Sequence, residues 1–247
     1  MIALVLLLGV ASAADPSPDG EVRRRVGPLA DVNWTRHTLE VTERARSDRL
    51  DERVEQRVRE QLDARVPEEC LRVRLLPSLY VRQLPDEGVS PGPCLWHVRT
   101  ATYALDGEVV LVAEVPLVKV LLEWSVQRAE PEPELSAQGA SGVVIDARGL
   151  GLDVSWAPVL RNPEGEAVWT PVVWEPHARS KPPVVWVADP AHPAAVVAGT
   201  KPFLAVAEGA AGADVVLSDT DAARFRAAFP AGAERPLGEG RVVVVVD

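Results

Sequence analysis

The spacing of hydrophobic residues predicts one long amphipathic helix in the first third of the chain. Over Ser47–Val66 an apolar side chain recurs every four positions, which places these residues on one helix face: Leu50, Val54, Val58, Leu62 and Val66. Ser47 supplies a start signal, and Pro67 is expected to end the helix. Because a dimeric coiled coil needs alternating three- and four-residue spacing, this stripe favours a single helix packed on a sheet.

Short apolar runs bounded by turn residues predict strands on either side of this helix. In the N-terminal half these strands are Asn33–Thr42, Leu71–Leu76, Leu79–Leu84, Leu95–Leu105 and Glu108–Val115. Asp106-Gly107, between the last two strands, is typical of a two-residue hairpin turn. The N-terminal half is therefore expected to form a sheet covered by the helix.

Three valine-rich runs that end in aspartate predict a second sheet: Val143–Asp146, Val184–Asp189 and Val242–Asp247. Continuous β-branched runs are typical of strands that are buried on both faces. Ser218 is the expected cap of a second helix, with Phe225 and Phe229 on its inner face. The expected fold class is α+β, with two small sheet-plus-helix domains that are mostly antiparallel and carry Val-rich buried strands in the C-terminal half.

Changes in composition predict how the chain is divided. Residues 15–30 are polar and contain three prolines, which predicts a flexible leader. Residues 128–140 are rich in Pro and Glu, which predicts an inter-domain linker. The N-terminal α+β domain is then expected at residues 31–127 and the C-terminal α+β domain at residues 141–247.

Residues 1–14, MIALVLLLGVASAA, have the organisation of a secretory signal peptide. Ile2–Val10 is an unbroken apolar run, and small residues suited to signal peptidase follow it. The run is shorter than the about 20 residues that span a bilayer, so no transmembrane span is expected. No Lys or Arg precedes the run, and a buried N-terminal strand is the alternative. We expect a protein exported to the periplasm or the outer envelope.

The two cysteines, Cys70 and Cys94, are expected to form a disulfide. In an exported protein an even pair of cysteines more often forms a bridge than stays reduced. Each cysteine begins a strand-like run, so the bridge would link neighbouring strands. It would close a loop of about 25 residues and stabilise the fold by about 3 kcal/mol on the chain-entropy account. Two separate thiols are the alternative.

Four segments form a recognisable set along the chain. They are DGEVVLVAEVPL at 106–117, SGVVIDARGL at 141–150, DVVLSDTDA at 214–222 and GRVVVVVD at 240–247. The set resembles the LPP-twenty group of bacterial outer-membrane lipoproteins and the related flagellar envelope proteins of the FlgP and FlgT type. The resemblance implies a non-enzymatic envelope protein with a structural or accessory role. Thr170 stands where the family has Gly, and the lipid-bearing cysteine of the family is absent.

Candidate chemistry is sparse, and neither an enzyme nor a cofactor or metal site is expected. Gly139-Ala140-Ser141-Gly142 departs from the G-x-S-x-G nucleophile motif, and Gly149-Leu150-Gly151 lacks the third glycine of a dinucleotide loop. No two of the four histidines have the spacing that metal ligands have on a helix or a strand: His37, His97, His177 and His192. Asp146, Asp189 and Asp247 could meet at the ends of parallel strands, although strand ends in water are the simpler interpretation.

One segment is expected to be architectural rather than catalytic. Gly149 should let the chain leave the Val143–Asp146 strand in a conformation that a β-carbon resists. Asp146 should cap local backbone N–H groups or pair with Arg148. This segment is therefore expected to act as a scaffold.

Charge and tryptophan content complete the functional prediction. A formal net charge of −10 argues against nucleic acid, whose binding relies on clustered Lys and Arg. The sequence favours an exported, non-catalytic periplasmic or envelope-associated protein that acts through contacts with envelope proteins. The alternative is a soluble binding module for cell-wall glycan or a small ligand. In that case Trp174 and Trp186, in a Trp-rich region, are the candidate stacking residues, although core packing is the favoured role for these indoles.

The export prediction is tested by sequencing the N-terminus of the expressed protein. The small residues after the apolar run should direct cleavage after Ala13 or Ala14, so the mature chain should begin at Ala14 or Asp15. An Ala13→Tyr, Ala14→Tyr double variant should block cleavage. Recovery of the wild-type protein in the cytoplasm with Met1 intact would contradict export.

Overall fold

The computed structural model describes residues 15–16, 19–47, 52–74, 94–117, 139–171, 182–230 and 235–247. The predicted signal peptide, the strand Leu79–Leu84, most of the 128–140 linker, Leu50 and Trp174 lie outside these residues. The described residues form two sheets with few helices, which confirms the α+β class. None of the described helices combines the length and the hydrophobicity that a bilayer-spanning segment needs.

The N-terminal sheet is wholly antiparallel and has the strand order β1-β2-β3-β4-β6-β5. Its elements are β1 (Asp15–Pro16), β2 (Val22–Gly27), β3 (Ala30–Asn33), β4 (Thr38–Arg46), helix α1 (Glu52–Arg74), β5 (His97–Tyr103) and β6 (Glu108–Pro116). The strand predicted at Glu108–Val115 is thus confirmed, and its neighbour is shorter than predicted. The hairpin between β5 and β6 has a three-residue turn, in which Ala104 N–H donates to Glu108 O.

Helix α1 lies on β4 and β6 with its predicted stripe facing inward. The buried residues of this stripe are Val54, Val58, Leu62 and Val66, which pack in one core with strand residues such as Leu39, Val41 and Leu111. Burial of each such side chain contributes about 1.5–3 kcal/mol. At the edge of the contact the Arg65 Nε donates to Glu43 at 3.2 Å. The helix-on-sheet prediction is therefore confirmed.

The end of α1 differs from the prediction. The helix continues through Pro67 to Arg74, so the strand predicted at Leu71–Leu76 is wrong over its described part. Proline removes a main-chain hydrogen bond, but Cys70 and Val73 extend the buried stripe by about two more turns. Burial on the sheet outweighs the local cost of the proline.

The predicted disulfide is present, although one of its partners lies in a different element. Cys70 is on α1 rather than on a strand, and Cys94 lies just before β5. Their Cα atoms are 6.6 Å apart. The bridge therefore ties the last turns of α1 to the entry of β5.

The predicted leader also differs from the structure, because part of residues 15–30 belongs to the sheet. Val22 is fully buried in β2, and Arg25 Nε donates to Asp31 of β3 at 2.6 Å. The strand predicted at Asn33–Thr42 is split by a turn at residues 34–37. The polar composition and the prolines of residues 15–30 favour a leader, but the segment joins the sheet, where Arg23 pairs with Glu21 and Arg25 with Asp31.

The C-terminal sheet is mixed and has the order β10-β13-β7-β11-β12-β8-β9. Its elements are β7 (Val143–Asp146), β8 (Leu160–Arg161), β9 (Ala167–Trp169), β10 (Val185–Val187), a 3₁₀ helix (Pro193–Ala198), β11 (Phe203–Ala211), β12 (Asp214–Leu217), helices α2 (Asp219–Ala228) and α3 (Arg235–Gly238), and β13 (Val242–Val245). Strands β10, β13, β7 and β11 run parallel to one another. All four residues of β13 are buried, as predicted for valine-rich strands.

Helix α2 begins and packs as the sequence predicts. The Ser218 Oγ accepts a hydrogen bond from Asp221 N–H at 3.0 Å, which satisfies one of the free donors of the first turn. Phe225 and Phe229 lie 5.5 and 6.4 Å from the ring of Phe203 on β11. The helix thereby covers one face of the C-terminal sheet.

The two sheets join along β10. Glu21 forms an antiparallel bridge with Val187, and Ala188 N–H donates to Gly20 O at 3.1 Å. Thr35 Oγ accepts from Val22 N–H and donates to Trp186 O at 2.6 Å. Backbone groups on the outer edge of β10 are thus satisfied by the N-terminal part of the chain.

His37 is the titratable group at this junction. Its Nε2–H donates to Val184 O at 2.8 Å, and its ring meets the edge of Trp156 at 5.9 Å. Burial lowers the pKa of His37 to about 4, although the hydrogen bond to Val184 acts in the opposite direction. The backbone at His37 is left-handed, with φ 55°. A neutral imidazole is therefore part of the contact between the sheets.

Acid should weaken the fold through His37. Because the folded-state pKa lies below the unfolded value of about 6.5, stability from the neutral ring is complete above that pH and is lost as the pH falls towards about 4. The full loss amounts to about 3 kcal/mol. His37→Gln keeps an N–H donor that does not titrate, so its free energy of unfolding should fall less between these pH values. Urea denaturation at several pH values measures this difference.

His97→Gln, at an exposed position on β5, is the matched control and should follow the wild-type profile. Parallel loss of stability in the wild type and in His37→Gln would show that His37 does not govern the acid response.

Candidate interaction surface on the C-terminal sheet

The first five residues of strand β11 (203–207) are apolar on both faces, but only one of these faces is covered. Phe203, Ala205 and Ala207 are buried, with Phe203 packed against α2. Leu204 and Val206 alternate with them and are 60% and 68% exposed. Because successive side chains of a strand point to opposite faces, the two exposed residues lie together on the outer face of the sheet.

The 3₁₀ helix covers the part of this outer face that is formed by β10 and β13. Ala198 packs in a small buried cluster with four valines of β10 and β13: Val185, Val187, Val243 and Val245. Val144 of β7 is only partly buried at the margin of this cluster. Within the described ranges, no helix or strand lies over Leu204 and Val206 on β11.

A groove of about 350 Å³ runs over this uncovered part of the sheet. Its floor is aliphatic and is formed by Val144, Leu204, Val206 and Val245. Pro190, Asp146, and Asp221 and Arg224 of α2 line the rest of it. We name this feature, defined by these residues, the outer groove. An apolar floor between charged sides is suited to another protein surface.

The charged sides of the outer groove are paired and ordered. Arg224 Nη1 donates to Asp221 at 2.5 Å, and its guanidinium lies 5.4 Å from the Phe203 ring centre. Asp146 accepts from the Arg148 backbone N–H at 3.2 Å and from Arg148 Nε at 2.9 Å. The hydrogen bond from Arg148 holds the pKa of Asp146 below its ordinary value. Each of the two acids at the outer groove therefore has an arginine partner.

The turn after β7 is fastened to the end of the chain. Gly149 and Gly151 have φ of 77° and 60°, a region that glycine enters without steric cost. The Gly149 N–H donates to Asp247 Oδ2 at 2.5 Å, which ties this turn to the residue that follows β13. Asp146, Arg148 and Gly149 thus make the local contacts expected of a scaffold at the rim of the outer groove.

The three strand-end acids lie at the same edge of the sheet, as parallel strands require. Asp146 pairs with Arg148, and Asp247 accepts from Gly149 N–H. Asp189 accepts from Ala191 N–H at 2.8 Å. The hydrogen bond that Arg148 donates to Asp146 is the main cause that raises the pKa of Arg148, and the charges of Asp247 and Asp189 add to it. Among the residues with described positions, no group of three His, Cys, Asp or Glu side chains is placed to hold a metal ion.

The tryptophans that the structure describes are buried or partly buried. Trp186 is fully buried and donates from Nε1 to Ser155 O at 2.8 Å, so it takes the favoured core role and the alternative stacking role does not apply to it. The other candidate, Trp174, lies outside the described residues. Trp156 is buried against His37. The core interpretation of the tryptophans therefore holds for Trp186 and Trp156.

The sequence analysis singles out Asp146 but not the exposed floor residues of the outer groove, Leu204 and Val206. The signal for β11 was the uninterrupted apolar run at 202–207, PFLAVA, which resembles a buried strand. A local pattern cannot distinguish a strand buried on both faces from one whose second face is left open. The exposure of Leu204 and Val206 becomes visible only once the 3₁₀ helix is placed over β10 and β13.

Comparison with known proteins gives a family match for the C-terminal part of the chain. The family model described as Treponema pallidum Tp0624, second domain, matches residues 142–247. The match covers less than half of the 247 residues and includes all the strands of the C-terminal sheet. No curated protein matches the chain. The outer groove thus lies on the part of the chain that is similar to that domain.

If the turn after β7 is a scaffold, its glycine should matter more for stability than its acid. Gly149→Val forces a β-branched residue into positive φ and should lower the free energy of unfolding by about 1–3 kcal/mol. The loss should come from backbone strain rather than from a clash, because no atom of the described residues beyond its two chain neighbours lies within 4 Å of the added β-carbon. Gly149→Asn is the matched control and should cost less, because Asn tolerates this region. Asp146→Asn should also cost less than Gly149→Val, since its partly exposed pair with Arg148 contributes little.

Thermal or urea unfolding of the three variants measures the order of their stabilities. The scaffold interpretation fails if Asp146→Asn abolishes binding of a partner or ligand while its melting temperature equals that of the wild type.

Proposed function

We propose that this chain is an exported, non-catalytic protein of the periplasm or outer envelope that acts through contacts with other envelope proteins. The outer groove carries the proposal. Leu204 and Val206 expose aliphatic side chains on a strand of the sheet, where a soluble protein would be expected to expose polar ones. Contiguous exposed apolar surface rimmed by charges is characteristic of interaction sites.

The chemistry of the groove suits a protein better than a small polar ligand. Its floor offers only aliphatic side chains, and its charged groups already pair with one another: Asp146 with Arg148 and Asp221 with Arg224. A partner that buries the floor would leave these pairs at the rim, where water still solvates them and their desolvation cost stays small.

Two further observations support an exported location. The Cys70–Cys94 disulfide is typical of proteins that fold in oxidising compartments. The apolar run at Ile2–Val10 supplies a route of export. The resemblance of SGVVIDARGL and GRVVVVVD to the LPP-twenty group agrees with this location and adds envelope association to the proposal.

The alternative function, a soluble binding module for glycan or a small ligand, loses one of its two candidate residues. Trp186 is buried and its indole N–H is already used, so stacking on a sugar would have to rely on Trp174. Protein contact is therefore the better supported function.

Site-specific photo-crosslinking in intact envelopes tests this proposal. A benzoylphenylalanine placed at Leu204 should crosslink to a discrete protein, because it lies on the groove floor. The same group at Ala64, on the exposed side of α1, is the control and should not give that product. With the purified partner, a Leu204→Ser, Val206→Ser double variant should bind about tenfold or more weakly, because two apolar contacts are lost, while its melting temperature stays close to that of the wild type.

Crosslinking of Leu204 to glycan alone would favour the alternative function. Equal products from positions 204 and 64 would contradict a specific contact at the outer groove.

A further inference from the structure

Strand β5 forms one edge of the N-terminal sheet. It pairs with β6 on one side, and within the described residues no strand pairs with its other side. The backbone groups on that side are therefore open to another strand. The opposite edge of the same sheet is formed by β1, which has only two residues.

The hairpin that joins β5 to β6 fixes which backbone groups are open. Ala104 N–H donates inward to Glu108 O. Inward and outward groups alternate along an antiparallel strand, so Thr102 also bonds to β6, and the N–H and C=O groups of Ala101 and Tyr103 point outward. The side chain of Tyr103 is held on the α1 face by a hydrogen bond from its hydroxyl to Glu55 at 2.6 Å.

The usual devices that protect an edge strand are weak in β5. It contains no proline or lysine. Its one arginine, Arg99, forms ion pairs with Glu40 and Glu114 on the face of its own sheet. The charge of Arg99 therefore does not block pairing at the edge. A bulge between Val98 and Thr100 remains, and it leaves the run from Thr100 to Tyr103 regular.

Exposed leucines stand beyond both ends of β5. Leu95, before the strand, is 73% exposed, and Leu105, in the turn after it, is fully exposed. When two copies pair antiparallel with Ala101 opposite Ala101, Leu105 of one copy lies beside the start of β5 of the other and diagonal to its Leu95, and this contact occurs twice about the two-fold axis. A parallel partner would not pair them in this way.

We propose that β5 is a self-association site, at which β5 of a second copy of this chain pairs antiparallel about Ala101 and extends the N-terminal sheet across two copies. Ala101 of each copy exchanges both of its outward hydrogen bonds with Ala101 of the other. Thr100 stands opposite Thr102, a β-branched pair that is favourable across strands. The strand carries a single charged side chain, so no two like charges are set directly opposite each other around this centre.

This association is independent of the outer groove, which lies on the other sheet. The chain can therefore self-associate through β5 and still present Leu204 and Val206 to a different protein. A pair of copies would carry two outer grooves, which raises the effective affinity for any partner that is itself repeated in the envelope.

Sedimentation velocity on the oxidised protein tests the proposal. The mass should rise from that of one 26.6-kDa chain towards that of two as the concentration increases from about 1 µM to about 500 µM, because so small an interface belongs to the weak class. Ala101→Pro removes only an outward N–H and should weaken self-association about tenfold or more. Ala101→Thr keeps that N–H and is the matched control, which should associate as the wild type does.

Leu105→Glu tests the same contact without changing the backbone of the strand. The residue is fully exposed, so folding should be unaffected, while self-association should weaken because the contact with Leu95 is lost. If the wild type remains a single copy at the highest concentration, the proposal is overturned. Association that Ala101→Pro and Leu105→Glu both leave unchanged overturns it equally.

Cysteine crosslinking tests the register. Because Cys70 and Cys94 are bridged, Ala101→Cys introduces a single free thiol. Residues opposite each other at this centre have Cα atoms about 5.5 Å apart, which permits a disulfide between copies under mild oxidation. Ala64→Cys, on the exposed side of α1, is the control and should form little dimer. Equal dimer from both variants would contradict pairing at Ala101.

Discussion

The hydrogen bonds along β10 are the constraint on which the rest of the structure depends. β10 is the edge strand of the C-terminal sheet, and its outer backbone groups would be unpaired without the N-terminal segment that contains Glu21 and Thr35. Buried unpaired groups cost about 1–3 kcal/mol each, so this contact fixes the sheets against each other. His37 adds a buried ring that must stay neutral. As a result the buried side chains of the two sheets form one continuous core, which contains Trp34, Trp156 and Trp186.

Joining the sheets in this way decides which surfaces remain open. One face of the N-terminal sheet packs against α1, and one face of the C-terminal sheet packs against α2. Each sheet therefore has a second face that its helix does not cover. The N-terminal sheet fills part of that face with charges, where Glu40 and Glu114 lie against Arg99 and Arg36. The C-terminal sheet leaves part of its face aliphatic at Leu204 and Val206. The same architecture thus contains a closed, self-paired polar face and an open apolar one, and only the open face is ready to gain free energy by burial.

Features set by local pattern could be predicted from the sequence, and features set by distant contacts could not. The inner face of α1, the Ser218 cap and the buried valines of β13 follow from periodicity and capping alone, and the α+β class follows from them. The helical turn after Pro67 depends on a sheet that accepts Cys70 and Val73, which no local rule reveals. The polar composition and prolines of residues 15–30 favour a leader, and the place of β2 in the sheet depends on contacts with distant strands, such as the pair of Arg25 with Asp31 on β3. At the candidate site, the turn of Asp146, Arg148 and Gly149 was identified in advance, whereas the exposure of Leu204 and Val206 depends on where the 3₁₀ helix stops.

The disulfide connects the oxidising compartment to the open edge of the N-terminal sheet. Cys94 lies three residues before β5, and Cys70 lies on a helix whose stripe is buried against β4 and β6. The bridge therefore anchors the entry of β5 to the buried end of α1. Without it, β5 would be held in place chiefly by its pairing with β6, and more conformational entropy would be lost whenever a strand docked on its free side. The disulfide lowers that cost before any partner arrives, so the proposed pairing at β5 should be tighter in the oxidised chain than in the reduced one.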